Sequence, residues 1–302
     1  MGRLRPGCAV PKLNTPHGVD RMARLLRRCV LSCLVAGAVL GHPARAEETM
    51  ERLTVHRDLP YADHERGRLD LYAPDGAEGA PVVLFVHGGA LLFGDKSLAA
   101  HVGLRLARED VVTVAVNHRF SPAVSHPAHV RDVAAALRWV VDHVAEHGGD
   151  PKRIVLAGHS SGGYLAALLA VDPRWLAELE LDADRIAGLV SISGFHYVDR
   201  LAPLRPKHVW GEDPEAWVDA SPAHRATEAA PPALLLWADG DAEDRRVDGR
   251  DFAAALGALG VATRSREIAD RDHRSIFFLL GSAGDPATEA IVDFLDEVVP
   301  RG

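Results

Sequence analysis

Cysteine is nearly missing from this chain: there are three in 302 residues, Cys8, Cys29 and Cys33, and none afterwards. A disulfide-stapled fold or a zinc site built from cysteine pairs is therefore excluded for everything that follows residue 33. Aromatic residues make up only 6%, too few for the stacking platforms of single-strand nucleic-acid binders. Cations are in deficit, with 34 Lys and Arg against 42 Asp and Glu for a net charge of −8. Phosphate backbones need clustered Lys and Arg, so no nucleic-acid partner is expected. No apolar run approaches the roughly eighteen residues of a spanning helix, so no stable membrane span is expected either. What is present, 47% apolar and 25% charged residues, suits an ordinary globular domain.

The charge is unevenly placed. Residues 1–46 hold eight basic residues (Arg3, Arg5, Lys12, Arg21, Arg24, Arg27, Arg28, Arg45) and one acid, Asp20. Subtracting that +7 from −8 leaves −15 for residues 47–302. From Met22 a basic start leads into a short apolar stretch at 29–40, a Gly41-His42-Pro43 break and Ala44-Arg45-Ala46. That layout is the signature of a cleaved export signal. The sequence thus predicts a leader at 1–46, with a signal peptide at 22–46, ahead of one domain at 47–302. The expected destination is periplasmic or secreted. A buried N-terminal helix and a lipid-modified Cys33 are the competing readings of the same stretch.

Beyond residue 50, apolar runs alternate with amphipathic segments. Runs at 69–72, 81–86, 111–116, 153–157, 186–192, 233–237 and 263–268 read as strands. Their unbroken apolar character suits parallel strands covered on both faces. Between them, 130–144 carries Val130, Val133, Ala134, Leu137, Val140, Val141 and Val144 on one helical stripe. Similar segments lie near 97–108, 162–171, 246–259 and 286–298. The alternation predicts an α/β fold with a mostly parallel central sheet flanked by helices. Residues 200–232 depart from it, with six prolines and little periodicity. They are expected to form a short irregular insertion standing where a cap or pocket wall would.

Gly158-His159-Ser160-Ser161-Gly162 joins the apolar run before it to the helical segment after it. That strand–turn–helix context is what a nucleophile elbow requires: a tight turn lifts the serine Oγ above the sheet, and flanking glycines admit close neighbours. Ser160 is the expected nucleophile. A hydroxyl needs a base to take its proton, and hydrolases built on this turn run Ser, acid, His along the chain. Of the four histidines after Ser160, His196, His208 and His224 precede the 233–237 strand; His273 follows the last predicted strand and is the expected base. Asp241 is the preferred acid, because its loop lets the carboxylate reach back to the imidazole. Asp239 stays open as an alternative, able instead to cap the turn. The third element is His87-Gly88-Gly89-Ala90, directly after the 81–86 strand. Gly88, Gly89, Ala90 and Ser161 form the expected oxyanion hole, with N–H groups of Gly89, Ala90 and Ser161 as donors.

With these residues, the chain from about 81 to 298 resembles an α/β-hydrolase of the esterase/lipase type. It stands near the hormone-sensitive-lipase-like and feruloyl/acetyl-xylan-esterase-like groups, and it also resembles the kynurenine formamidase relatives. Phe93-Gly94-Asp95-Lys96, Asn117-His118-Arg119-Phe120-Ser121-Pro122, the block 126–133 and Gly148-Gly149-Asp150-Pro151 carry the resemblance further. His118 stands where the family usually has tyrosine, Ala90 where a third glycine is common, and Leu91 where an aromatic often sits. The resemblance implies an α/β-hydrolase fold and a small-molecule ester substrate; the low aromatic content and the proline-rich 200–232 segment favour a short acyl group, and the triad chemistry needs no cofactor. An arylformamidase-type amide substrate is the alternative on the same triad. A different class, zinc-dependent hydrolysis, is raised by His143-Val144-Ala145-Glu146-His147, an H-x-x-E-H pattern; a non-catalytic binding protein is the third reading.

Overall fold

The computed structural model describes residues 53–202 and 207–300; the leader at 1–46, its signal segment 22–46 and all three cysteines lie outside the described residues. Backbone groups in an unbroken apolar run need ladder partners on both sides and side-chain cover on both faces. The strands β1 (Leu53–Pro60), β2 (Arg68–Pro74), β3 (Ala80–Val86), β4 (Val112–Val116), β5 (Gly149–His159), β6 (Ile186–Ile192), β7 (Ala233–Ala238) and β8 (Thr263–Ile268) meet that need in one sheet. Its order is β1-β2-β4-β3-β5-β6-β7-β8. The β1–β2 and β2–β4 pairs are antiparallel, and the remaining pairs, from β4 across to β8, are parallel. At the centre, 82–86 pairs in register with 112–116 on one side and 154–158 on the other.

The pleat sorts side chains onto two faces. Val82, Leu84 and Val86 join one core with Val133, Leu137 and Val140 of α2 (Ala128–His143), Leu165 and Leu168 of α3 (Ser161–Val171), and Phe252 and Leu256 of α4 (Glu243–Ala258). Val83 and Phe85 join the opposite core with Val102 and Leu106 of α1 (Ala100–Leu106) and Ile291 and Phe294 of α5 (Pro286–Val298). The order in which strands are added reverses at β3, with β4 on one side and β5 on the other. This puts a crevice at the carboxyl ends of β3 and β5, where ligands of such sheets bind.

Two expectations are corrected. β1 was not foreseen: it is an edge strand with half-exposed residues and a bulge between His56 and Leu59, so His56, Arg57 and Asp58 break any apolar pattern. The described part of the 200–232 insertion is more regular than expected. It holds short helices at Lys207–Trp210, Pro214–Asp219 and Pro222–Arg225. Pro214 and Pro222 open their helices, the position where the missing N–H costs nothing. Prolines there start helices rather than break them.

Candidate active site

The elbow between β5 and α3 holds Ser160 at φ 56 and ψ −122, a conformation that costs a non-glycine residue about 1–3 kcal/mol. Neighbours hold it there: Ser160 N–H donates to Ile192 O at 2.8 Å, and Tyr164 N–H donates to Ser160 O at 3.1 Å. Gly162 is required by contact, since a Cβ there would lie 2.1 Å from Val86 O. The elbow therefore packs directly on the end of β3.

Ser160 Oγ lies 2.9 Å from His273 Nε2, and His273 Nδ1 lies 2.7 Å from Asp241 Oδ1. The other Asp241 oxygen accepts the Ser193 hydroxyl at 2.5 Å and Ala238 N–H at 3.0 Å. Burial works to raise the Asp241 carboxyl, but the bonds from His273, Ser193 and Ala238 outweigh it and hold it below the usual carboxylate range. The ionised carboxylate fixes the His273 proton on Nδ1, leaving Nε2 free to accept from Ser160.

Asp239 is turned away. Its carboxylate accepts N–H groups of Asp270 and Arg271, both at 3.0 Å, and so shapes the loop that carries His273.

The turn after β3 faces the elbow. Gly89 has φ 134 and Ala90 φ 57, and a Cβ at Gly89 would overlap Phe93 O. The N–H groups of Gly89, Ala90 and Ser161 donate to no other group among the described residues, and Ser161 opens α3, where N–H groups point outward. Gly88 supplies space rather than a donor: a Cβ there would sit 3.1 Å from Ser160 Cβ and 2.9 Å from His159 O. Gly88, Gly89, Ala90, Ser160 and His273 together line a cavity of about 610 Å³. Phe93, Leu98, Phe195, Phe277 and Phe278 give it apolar walls. No described residue of 207–232 lines it; that segment instead braces Phe195 through Trp210 and Tyr164.

Four supporting residues had escaped the sequence reading. Ser193, at φ 46, bonds Asp241 across 48 positions. Arg245 donates to Ser193 O at 2.6 Å and Gly194 O at 3.1 Å beside it. His159, stacked on Phe277, hydrogen-bonds His273 O at 2.8 Å and ties the histidine loop to the elbow. Burial, with the nearby His273, pushes the His159 imidazole down to about 3, so it stays neutral and donates through Nε2. Arg66 reaches from the β1–β2 connection to His118 O at 2.6 Å and Gly94 O at 3.1 Å, and lies 3.4 Å from His87 Nε2. It staples the turn after β3 from behind. The Phe93–Lys96 and Asn117–Pro122 blocks also meet: Asn117 accepts Lys96 N–H at 2.7 Å and donates to Asp95 at 2.9 Å.

A second Ser–His–Asp line exists. Ser191 Oγ lies 3.0 Å from His196 Nε2, and His196 Nδ1 lies 2.7 Å from Asp248 Oδ1. All three are buried, and none lines the cavity. Gly163 of α3 packs so close that a Cβ there would be 2.9 Å from Ser191 Oγ, which leaves no room for a substrate carbonyl. Asp248 also takes the N–H groups of His196 and Tyr197, so the line is a clamp between the loop after β6 and α4.

His143, Glu146 and His147 sit at the exposed end of α2. His143 Nδ1 meets Glu146 at 3.1 Å, while His147 packs on Trp139 and His56. Among the described residues no group of three or more His, Cys, Asp or Glu side chains is gathered as metal ligands are.

An eight-stranded, mostly parallel sheet with a serine elbow after β5 and a histidine loop after β8 defines an α/β-hydrolase, and the chain belongs to that superfamily. Residues 69–188 match the family model described as BD-FAE. Esterase LipC of Mycobacterium tuberculosis is 32% identical over 271 residues, 82% of this chain and 66% of that protein. Isoprenylcysteine alpha-carbonyl methylesterase ICME of Arabidopsis thaliana is 27% identical over 269 residues, 81% of this chain and 61% of its own. The chain thus spans under two thirds of the length of these curated relatives. The solved structure of a hyperthermophilic esterase from the archaeon Pyrobaculum calidifontis superposes with a TM-score of 0.65 at 22% identity, covering 93% of each chain.

Proposed function

We propose that the chain is a serine hydrolase that cleaves short-acyl carboxylic esters through an acyl-enzyme. The observation that carries this reading is the unbroken line Asp241–His273–Ser160, ending on the wall of an apolar cavity beside unpartnered N–H groups. Ser160 Oγ attacks the ester carbonyl as His273 Nε2 takes its proton; Asp241 stabilises the resulting imidazolium without accepting that proton. The tetrahedral oxyanion is held by N–H groups of Gly89, Ala90 and Ser161, each worth about 3–4 kcal/mol of barrier. His273 then protonates the leaving alcohol, and water releases the acyl group by the same steps. None of these steps calls on a cofactor. Relatives named as esterases, LipC among them, support the ester class.

The short-acyl preference rests on the shape of the site: no described part of 207–232 forms a lid over the cavity that would bury a long chain. Rates compared across acetyl, butyryl, octanoyl and feruloyl esters and an N-formyl aryl amide test it. Turnover is expected to be fastest on acetyl or butyryl esters; a maximum on the octanoyl ester, or on the formamide, would replace this substrate class. The export signal read at residues 22–46 is part of the same proposal. The protein recovered outside the cytoplasm should begin at Glu47, and an exported form that keeps residues 22–46 would contradict it.

A further inference from the structure

The cavity has polar character of one sign only. Of the residues lining it, Arg245 and Arg274 carry guanidinium groups, and none is an Asp or Glu. His159 on the same wall is neutral, with its imidazole pushed down to about 3 chiefly by burial. The remaining contacts with any substrate body are apolar: Phe93, Leu98, Phe195, Phe277 and Phe278.

The two arginines differ. Arg245 is largely buried and committed to the carbonyls of Ser193 and Gly194 behind Asp241. Arg274 follows His273 directly, is exposed, and has no ion-pair partner among the described residues. The adjacent Asp272 is exposed and feels the charge of Arg274, but its carboxylate forms no ion pair with the guanidinium and instead accepts the backbone N–H groups of Arg274, at 2.9 Å, and Ser275, at 2.7 Å. The Arg274 guanidinium carbon lies 5.9 Å from the centre of the Phe278 ring, which is itself exposed at the cavity mouth. In a chain with net charge −8, an unpaired cation beside apolar rings at the mouth of the site has a defined complement: an apolar body bearing an anion.

Building on the esterase reading above, we propose that Arg274 is a specificity-determining residue that selects esters carrying a carboxylate beside an apolar or aromatic group. The fork of guanidinium N–H donors matches a carboxylate in two parallel bonds, while Phe93 and Phe278 cover the ring or chain that bears it. The interaction forms with the intact substrate, so it acts on KM more than on kcat.

Two matched substrates test the proposal. 3-Acetoxybenzoate and 3-acetoxybenzamide share the scissile acetyl ester and the ring, and differ in the charge of one group. The readout is the ratio of their kcat/KM values, acid over amide. Comparing that ratio between variants cancels the intrinsic difference in leaving group. Arg274→Ala is expected to lower it about fivefold and Arg274→Glu about twentyfold, with Arg274→Lys retaining most of it. The loss should fall on KM for the acid, and added salt should shrink the wild-type ratio. A ratio that does not change in Arg274→Glu overturns the proposal. Failure of the wild-type protein to cleave either acetate overturns instead the esterase reading on which it stands.

Discussion

Replacing Ser160 by alanine is expected to lower ester turnover about 10⁶-fold, the scale seen when the nucleophile of an intact triad is removed. The size follows from what Oγ does: without it neither the acyl-enzyme nor the proton transfer to His273 exists, and only the oxyanion donors and cavity remain. Ser160→Ala should keep its fold, because Ile192 O and Tyr164 N–H hold the backbone of residue 160, not its side chain. Ser191→Ala is the matched comparison. It cuts an equally well-formed Ser–His contact, but one sealed beneath α3, so turnover should stay close to wild type once folding is equal. Steady-state kinetics with circular dichroism on both variants separate the two lines. Ser160→Ala retaining activity within tenfold of wild type would reassign the nucleophile.

The second large effect is acid unfolding. His87, His118, His129 and His159 are buried, and burial before any other cause pushes their imidazoles down, to about 3, 4, 3 and 3. His87 stacks on His118 at 4.7 Å, with Arg66 against one side and Arg119 and Asp132 close by. In the unfolded chain each imidazole takes up its proton near pH 6.5. These folded-state values are depressed, so the stabilisation they represent is complete above pH 6.5. It is lost as pH falls from there toward 4, because the unfolded state binds protons that the folded state refuses. At pH 5 the loss is about 2 kcal/mol per histidine, on the order of 8 kcal/mol for the four. That rivals the whole stability of a typical domain, about 5–15 kcal/mol. Far-ultraviolet circular dichroism should show cooperative unfolding centred near pH 5. A native spectrum persisting at pH 4 would contradict this account of the histidines.

The parallel strands were legible because an unbroken run such as Pro81-Val82-Val83-Leu84-Phe85-Val86 has few other ways to bury itself. β1 was not, since an edge strand buries one side and can carry His56, Arg57 and Asp58 without penalty. The 200–232 segment misled because proline has two meanings, and only the capping context, as at Asp213 before Pro214, tells which applies. In the site, the elbow and the turn after β3 declared themselves through glycines whose absence of a side chain is a steric requirement. Asp241 and Asp239 could not be separated by spacing alone. They differ in direction, one toward His273 and the other toward the backbone of residues 270 and 271. Ser193, His159 and Arg66 left no local signal, because each acts through a contact with a segment remote in the chain.

One measurement bears most directly on the account. The folded protein is treated with a serine-directed fluorophosphonate, digested, and its peptides mapped by mass spectrometry. The adduct is predicted on the peptide containing Ser160, lost in Ser160→Ala and retained in Ser191→Ala. An adduct on Ser191, or no adduct on folded protein, would contradict the assignment of the line Asp241–His273–Ser160 as the machinery of ester hydrolysis.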